Sequence, residues 1–153
     1  MSRLTNDINI RKAVQYALDK EEIMLACIQD AGYVLDMDPP VTYTGRPDDG
    51  KVTVIEQDLD KAKEYLAKAN YDGTTPLVII CTSGTTMEKA AQVIQGQLLE
   101  IGLKCEVQAT DTGTYTQSSN DHNYDINLNI TSSTLNDVSS INTQYKIDRK
   151  SVV

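Results

Sequence analysis

The sequence predicts an α/β fold, a three-layer-like lobe in which a βαβ unit lies in a mixed, mainly parallel sheet flanked by helices. Two short apolar runs, Leu77–Cys81 and Leu103–Val107, are partly β-branched and bounded by turn residues, as strands buried on both faces are. Between them Met87, Ala90, Ala91, Ile94, Leu98 and Ile101 recur at three- and four-residue steps. Glu88, Lys89, Gln92, Gln95 and Glu100 fall on other faces, so the segment reads as an amphipathic helix. A third strand follows at Tyr124–Ile130. Parallel strands joined by a helix leave their loops and the helix N-terminus at one sheet edge, where open α/β sheets bind ligands.

The earlier elements follow from caps and spacing. Asp7 caps a first helix whose apolar face is Ile10, Ala13, Val14, Ala17 and Leu18. Asp19 with Glu22 three residues later makes a capping-box-like start for a second helix through Ile23, Ala26, Cys27 and Ala31, which Gly32 closes. Asp38-Pro39-Pro40, Gly45-Arg46-Pro47 and Asp48-Asp49-Gly50 crowd turn formers into residues 33–57, which reads as irregular surface chain, a lid or a long connection. Asp58 precedes the stripe Leu59, Ala62, Leu66 and Ala69 of a third helix with Asn70 at its end, and Tyr71-Asp72-Gly73 turns the chain toward the strand after Pro76. Gly102 stops the helix of the βαβ unit, because a residue without Cβ tolerates the left-handed conformation. The polar segment Asp111–Asn123 is expected to hold a short helix.

Composition narrows the function classes. A chain of 153 residues carries the prior of one domain, and with no Trp or Phe its core rests on aliphatics, Met and eight Tyr. A formal charge of −8 argues against nucleic acid and anionic membrane as partners, since both need concentrated Lys and Arg. No stretch reaches the roughly 18 apolar residues of a spanning helix, and Met1–Thr5 has no apolar core of a secretion signal. Cys27, Cys81 and Cys105 are odd in number without CxxC spacing, which disfavours a disulfide framework or zinc site. A Cys81–Cys105 bridge between neighbouring strands stays open, with free thiols the simpler reading.

No catalytic, metal or cofactor site emerges. His122, the single histidine, stands between Asp121 and Asn123 in a polar run and reads as a surface residue. Asp36, Asp38, Asp48 and Asp49 lack the spacing and terminal Glu of an EF-hand. No Gly-x-Ser-x-Gly is present, and Arg11 beside Lys12 reads as a solvated or ion-paired helix residue.

The order of these motifs carries a resemblance. Asp7-Ile-Asn-Ile-Arg11-Lys-Ala-Val-Gln-Tyr-Ala-Leu-Asp19-Lys-Glu-Glu-Ile23 is followed by Asp58-Leu-Asp-Lys-Ala-Lys-Glu-Tyr-Leu-Ala-Lys-Ala-Asn-Tyr71. Then come Pro76–Cys81, Ala90–Val107 and Tyr124-Asp-Ile-Asn-Leu-Asn. Over residues 6–145 the chain resembles one lobe, the C-terminal one, of the family 5 extracellular solute-binding proteins of peptide, dipeptide and nickel-type ABC importers. The resemblance implies a single lobe of the type II periplasmic-binding-protein kind over 6–145 with a tail at 146–153, a fragment of a longer receptor. The rest of that receptor would supply the signal sequence, the lipid-anchoring Cys and the second lobe. It further implies a peptide or related small solute as ligand, ABC permease subunits as partner, an extracytoplasmic location and no enzymatic activity. In peptide-binding relatives the loop after the third strand carries a Trp and then an Asp that holds the peptide amine. Ile130 and Ser133 stand at those positions here, and Asp137 lies near a later acidic position, so amine capture in the manner of those relatives is not expected.

Two segments are therefore the candidate ligand contacts. The loop after the third strand offers Asn129, Thr131, Ser132, Ser133, Thr134, Asn136 and Asp137, mostly uncharged hydrogen-bonding groups. The loop before the βαβ helix offers Thr82, Ser83 and Thr85, whose hydroxyls and amides suit a polar group at a helix N-terminus, with ordinary capping as the plainer reading. A stand-alone α/β regulatory or protein-interaction domain is the alternative to the receptor lobe.

Overall fold

In the computed structural model the described residues are 3–29, 32, 34 and 55–130. They fall in one unit, Met1–Val34 with Ile55–Ile130; a second unit, Leu35–Val54 with Thr131–Val153, lies outside the described residues. A 3₁₀ turn, Leu4–Asn6, leads into helices α1 (Ile8–Ala17), α2 (Lys20–Ile28) and α3 (Leu59–Lys68). Strand β1 (Leu77–Thr82), helix α4 (Thr86–Glu100), strand β2 (Cys105–Thr110), helix α5 (Thr112–Asn120) and strand β3 (Ile126–Asn127) follow. The strands stand in the order β2-β1-β3, and both pairings are parallel.

The central strand is nearly continuous in apolar residues because both of its faces are buried. Leu77, Ile79 and Cys81 join a core cluster with Ala91, Ile94 and Leu98 of α4, while Ile80 on the opposite face is also buried. The α4 stripe expected from its spacing is the buried one. Its end is a Schellman closure: Gly102, at φ +84°, donates its N–H to Leu99 O at 2.9 Å, and Leu103 donates to Leu98 O at 3.0 Å. Leu98 and Leu103 are both fully buried, the apolar contact that accompanies this motif.

That closure moves the second strand. Leu103 was expected to begin it, but Gly102 and Leu103 are used to stop α4, and pairing begins with Leu77 N–H to Lys104 O at 2.8 Å. β2 therefore runs Cys105–Thr110, in register with β1 from Leu77↔Cys105 to Thr82↔Thr110. No β2 residue is fully buried, which explains why its polar Gln108 and Thr110 gave no strand signal. The same register sets Cys81 opposite Ala109, four positions from Cys105. At about 3.3 Å per residue that offset is too long for a disulfide, and all three cysteines are free.

β3 is also shorter than the expected Tyr124–Ile130, with ladder pairing only at Ile79↔Ile126 and Ile80↔Asn127. Side chains hold the rest. The Asp125 carboxylate accepts Val78 N–H at 3.0 Å, and Thr5 N–H and Oγ1–H at 3.3 and 3.2 Å, while Asp125 N–H donates to Val78 O at 2.9 Å. It thus satisfies the β1 amide ahead of the ladder and ties the N-terminal turn to the sheet. Tyr115 Oη–H donates to Asn127 Oδ1 at 2.6 Å and Asn127 Nδ2 to Ser119 Oγ at 2.9 Å, fastening β3 to α5.

α1 and α3 pack through small residues: Ala13, Ala17 and Ala62 are fully buried. Beside this seam Tyr16 and Tyr65 stack with centroids 5.7 Å apart, and Lys12 and Lys68 each lie 5.1 Å from the Tyr65 centroid. Arg11 closes the first turn, donating to Thr5 O at 2.6 Å and Asn6 O at 3.2 Å.

α2 departs from expectation. It ends at Ile28, with Gln29 at φ +56° as its cap, before the Gly32 expected to close it, and Ala26 of its supposed apolar face is exposed. Asp19 caps it as expected, accepting Glu22 N–H at 3.0 Å. The reciprocal bond to Asp19 N–H comes from Gln97 Oε1 of α4 at 3.1 Å, and Gln97 Nε2 donates to Glu22 Oε2 at 2.5 Å. Gln97, only 5% exposed, is thus a buried amide that completes the cap of another helix.

Replacing Gln97 by Leu strands the Asp19 amide and is expected to cost about 1–3 kcal/mol in urea unfolding; a change below about 0.3 kcal/mol would show that the amide is not needed. His122 occupies the position after the α5 cap at φ +53°, donating N–H to Ser119 O at 3.2 Å, with Asn123 N–H to Ser118 O at 2.8 Å. Glycine relieves a left-handed side chain there, so His122→Gly is expected to stabilise by about 0.5–1 kcal/mol in the same assay, a sign opposite to that of a usual glycine substitution.

Candidate functional site

The parallel register brings the carboxyl ends of all three strands to one edge. Thr82 pairs with Thr110, and Ser83 N–H donates to Thr110 O at 2.8 Å. Leu128 N–H donates to Ile80 O at 3.0 Å, which carries Asn129 to the same edge. Of the predicted contacts, Thr82, Ser83, Thr85 and Asn129 therefore share the carboxyl edge, with Ser83 and Asn129 exposed. Thr131, Ser132, Ser133, Thr134, Asn136 and Asp137 lie outside the described residues, as do Asp36, Asp38, Asp48 and Asp49. His122 is exposed at the end of α5, beside the amino-terminal start of β3 and so at the opposite edge.

The loop from Thr82 to Thr86 is organised by its own groups. Gly84 turns it at φ +70°, and Thr85 caps α4 by accepting Met87 N–H at 3.3 Å while donating its hydroxyl to Thr82 O at 2.6 Å. Glu88 reaches back to accept Gly84 N–H at 2.7 Å. This is a capping box displaced by one residue, since the carboxylate takes the amide before the cap residue. The donors that would cradle an anion are thus partly consumed, and a carboxylate already stands among them. Sequence reasoning placed Glu88 only as a residue off the core stripe; the Thr85-x-x-Glu88 spacing was the signal for its role.

The neighbouring strand end carries a second carboxylate. Asp111 caps α5, accepting Gly113 N–H at 2.9 Å, Thr114 N–H at 3.2 Å and the Thr114 hydroxyl at 2.7 Å. The Thr114 hydroxyl first, then the Thr114 and Gly113 amides, hold its carboxyl below the ordinary carboxylate range. No Lys or Arg occurs in 82–88, 108–120 or 126–130. The described edge thus offers neutral hydroxyls and amides with two carboxylates, Glu88 and Asp111, and the exposed Lys89 following in α4.

The thiols are not primed for chemistry. Burial pushes Cys105 up to about 12, with the Asp125 charge adding to it, and burial also raises Cys81 and Cys27. Nucleophilic cysteines need the opposite shift. Among the described residues no group of three His, Cys, Asp or Glu is placed to hold a metal, and no helix is long and apolar enough to cross a membrane.

This lobe-like sheet, with polar loops gathered at one edge, matches a known family. Residues 2–151 match the family model of the bacterial extracellular solute-binding proteins, family 5 middle. The chain belongs to this family. Among solved structures, the ABC transporter substrate-binding protein CtaP of Listeria monocytogenes is 25% identical, with a TM-score of 0.82 over 92% of this chain and 29% of that one. The oligopeptide-binding protein AppA of Bacillus subtilis, solved with a nonapeptide, is 26% identical, with a TM-score of 0.67 over 75% of this chain and 25% of that one. DppA of Helicobacter pylori, solved with the peptide STSA, shares the fold at a TM-score of 0.77 and 24% identity over 92% of this chain and 27% of that one. The chain thus spans between a quarter and three tenths of the length of these solved family 5 proteins.

Two outcomes test these carboxylate contacts. Glu88→Ala is expected to lower stability by about 0.5–2 kcal/mol and to speed hydrogen exchange at the Gly84 amide; unchanged exchange would mean that the carboxylate does not occupy the loop. The Asp58 carboxyl is held low chiefly by Lys61 N–H, and that of Asp72 by the Thr75 hydroxyl, as Asp111 is by Thr114. These folded carboxyls ionise below their unfolded value, so their contribution is present above the unfolded carboxylate pKa and is lost as pH falls through the folded ones. Carboxyl carbon chemical shifts followed by NMR are expected to titrate below about 3.9 for all three; ordinary midpoints would contradict the hydrogen bonds drawn to these carboxylates.

Proposed function

We propose that the chain is one lobe, residues 6–145, of a solute-binding component of an ABC importer, and that it captures its ligand by lobe closure without catalysis. The supporting observation is the carboxyl edge of the parallel sheet, where Thr82, Ser83, Thr85 and Asn129 stand together in a chain of the family 5 fold. The ligand is a peptide or related small solute, the class bound by the relatives solved with a nonapeptide and with STSA.

On this reading the loop after β3, with Thr131, Ser132, Ser133, Thr134, Asn136 and Asp137, completes the contacts. Glu88 and Asp111 make the edge unfavourable for a ligand carboxylate, so an anionic end of the solute is bound by the other lobe. Recognition here runs through neutral hydrogen bonds and bridging water. The longer protein works outside the cytoplasm, in the periplasm or as a cell-surface lipoprotein, and hands its solute to the membrane permease of the importer. Nothing in the fold or the family favours the stand-alone regulatory domain.

The test compares the 153-residue chain with the longer receptor by isothermal titration calorimetry against short peptides. The longer receptor is expected to bind a member of the set, and the chain alone at least about a hundredfold more weakly, because a ligand pocket normally buries most of its ligand and the surface supplied by the rest of the receptor is gone. Tight, stoichiometric binding by the chain alone would overturn the two-lobe reading, and no binding by the longer receptor would overturn the ligand class.

A further inference from the structure

We draw no further inference here: the strongest candidate, the groove of about 460 Å³ between the Thr74–Pro76 turn, α4 and the start of β2, with Leu99 60% exposed on its rim, is an unpartnered apolar face and nothing in the structure shows what covers it.

Discussion

Parallel pairing of β1 with β2 across α4 is the constraint on which the other features of the unit depend. A parallel pair cannot be closed by a tight turn, so the chain must cross back along a helix, and that helix must bury its apolar stripe on the sheet. α4 meets both demands with Ala91, Ile94 and Leu98 set against Leu77, Ile79 and Cys81. Once the register from Leu77↔Cys105 to Thr82↔Thr110 is fixed, the polar loop after β1 and the start of α5 after β2 arrive at the same edge. The position of the candidate site is therefore a result of topology, and its chemistry is set by the few residues that happen to end each strand.

Acidic and hydroxyl caps then determine what that edge can hold. Every helix of the described unit starts on such a side chain: Asp7, Asp19, Asp58, Thr85 and Asp111. At most positions the cap serves only its own helix. At the carboxyl edge the same device has a consequence for binding, because Glu88 and Asp111 put negative charge where helix N-termini would otherwise welcome an anion. The edge is left with hydroxyls and side-chain amides, groups that match the polar backbone of a peptide better than its carboxylate.

The helices were legible in the sequence because caps and periodicity are local. Asp7, Asp19 and Asp58 mark starts that the structure reproduces, and the α4 stripe is the buried face. Strand limits were less legible, for identifiable reasons. Leu103 is apolar because it seals the end of α4, so it imitated a strand residue. β3 is held by Asp125 and Asn127 through side-chain bonds, so the strand expected over Tyr124–Ile130 is longer than its ladder. Gln97 could not be foreseen at all: its partners Asp19 and Glu22 lie more than seventy residues away, and nothing in its own neighbourhood marks a glutamine as buried. At the site, Thr82–Thr85 was legible as a strand-to-helix loop, and the Thr85-x-x-Glu88 spacing marked a capping carboxylate, but only the geometry shows it on the Gly84 amide, one residue before the cap.

We propose that the solute meets this unit at the carboxyl edge of its parallel sheet. Hydrogen exchange measured on the longer receptor, with and without saturating solute, tests it most directly. Slowed exchange at the amides of Thr82–Thr86 and of residues 129–137 is the predicted result. Slowing confined to the opposite edge, at Arg3–Asp7 and Asn123–Asp125, would contradict it.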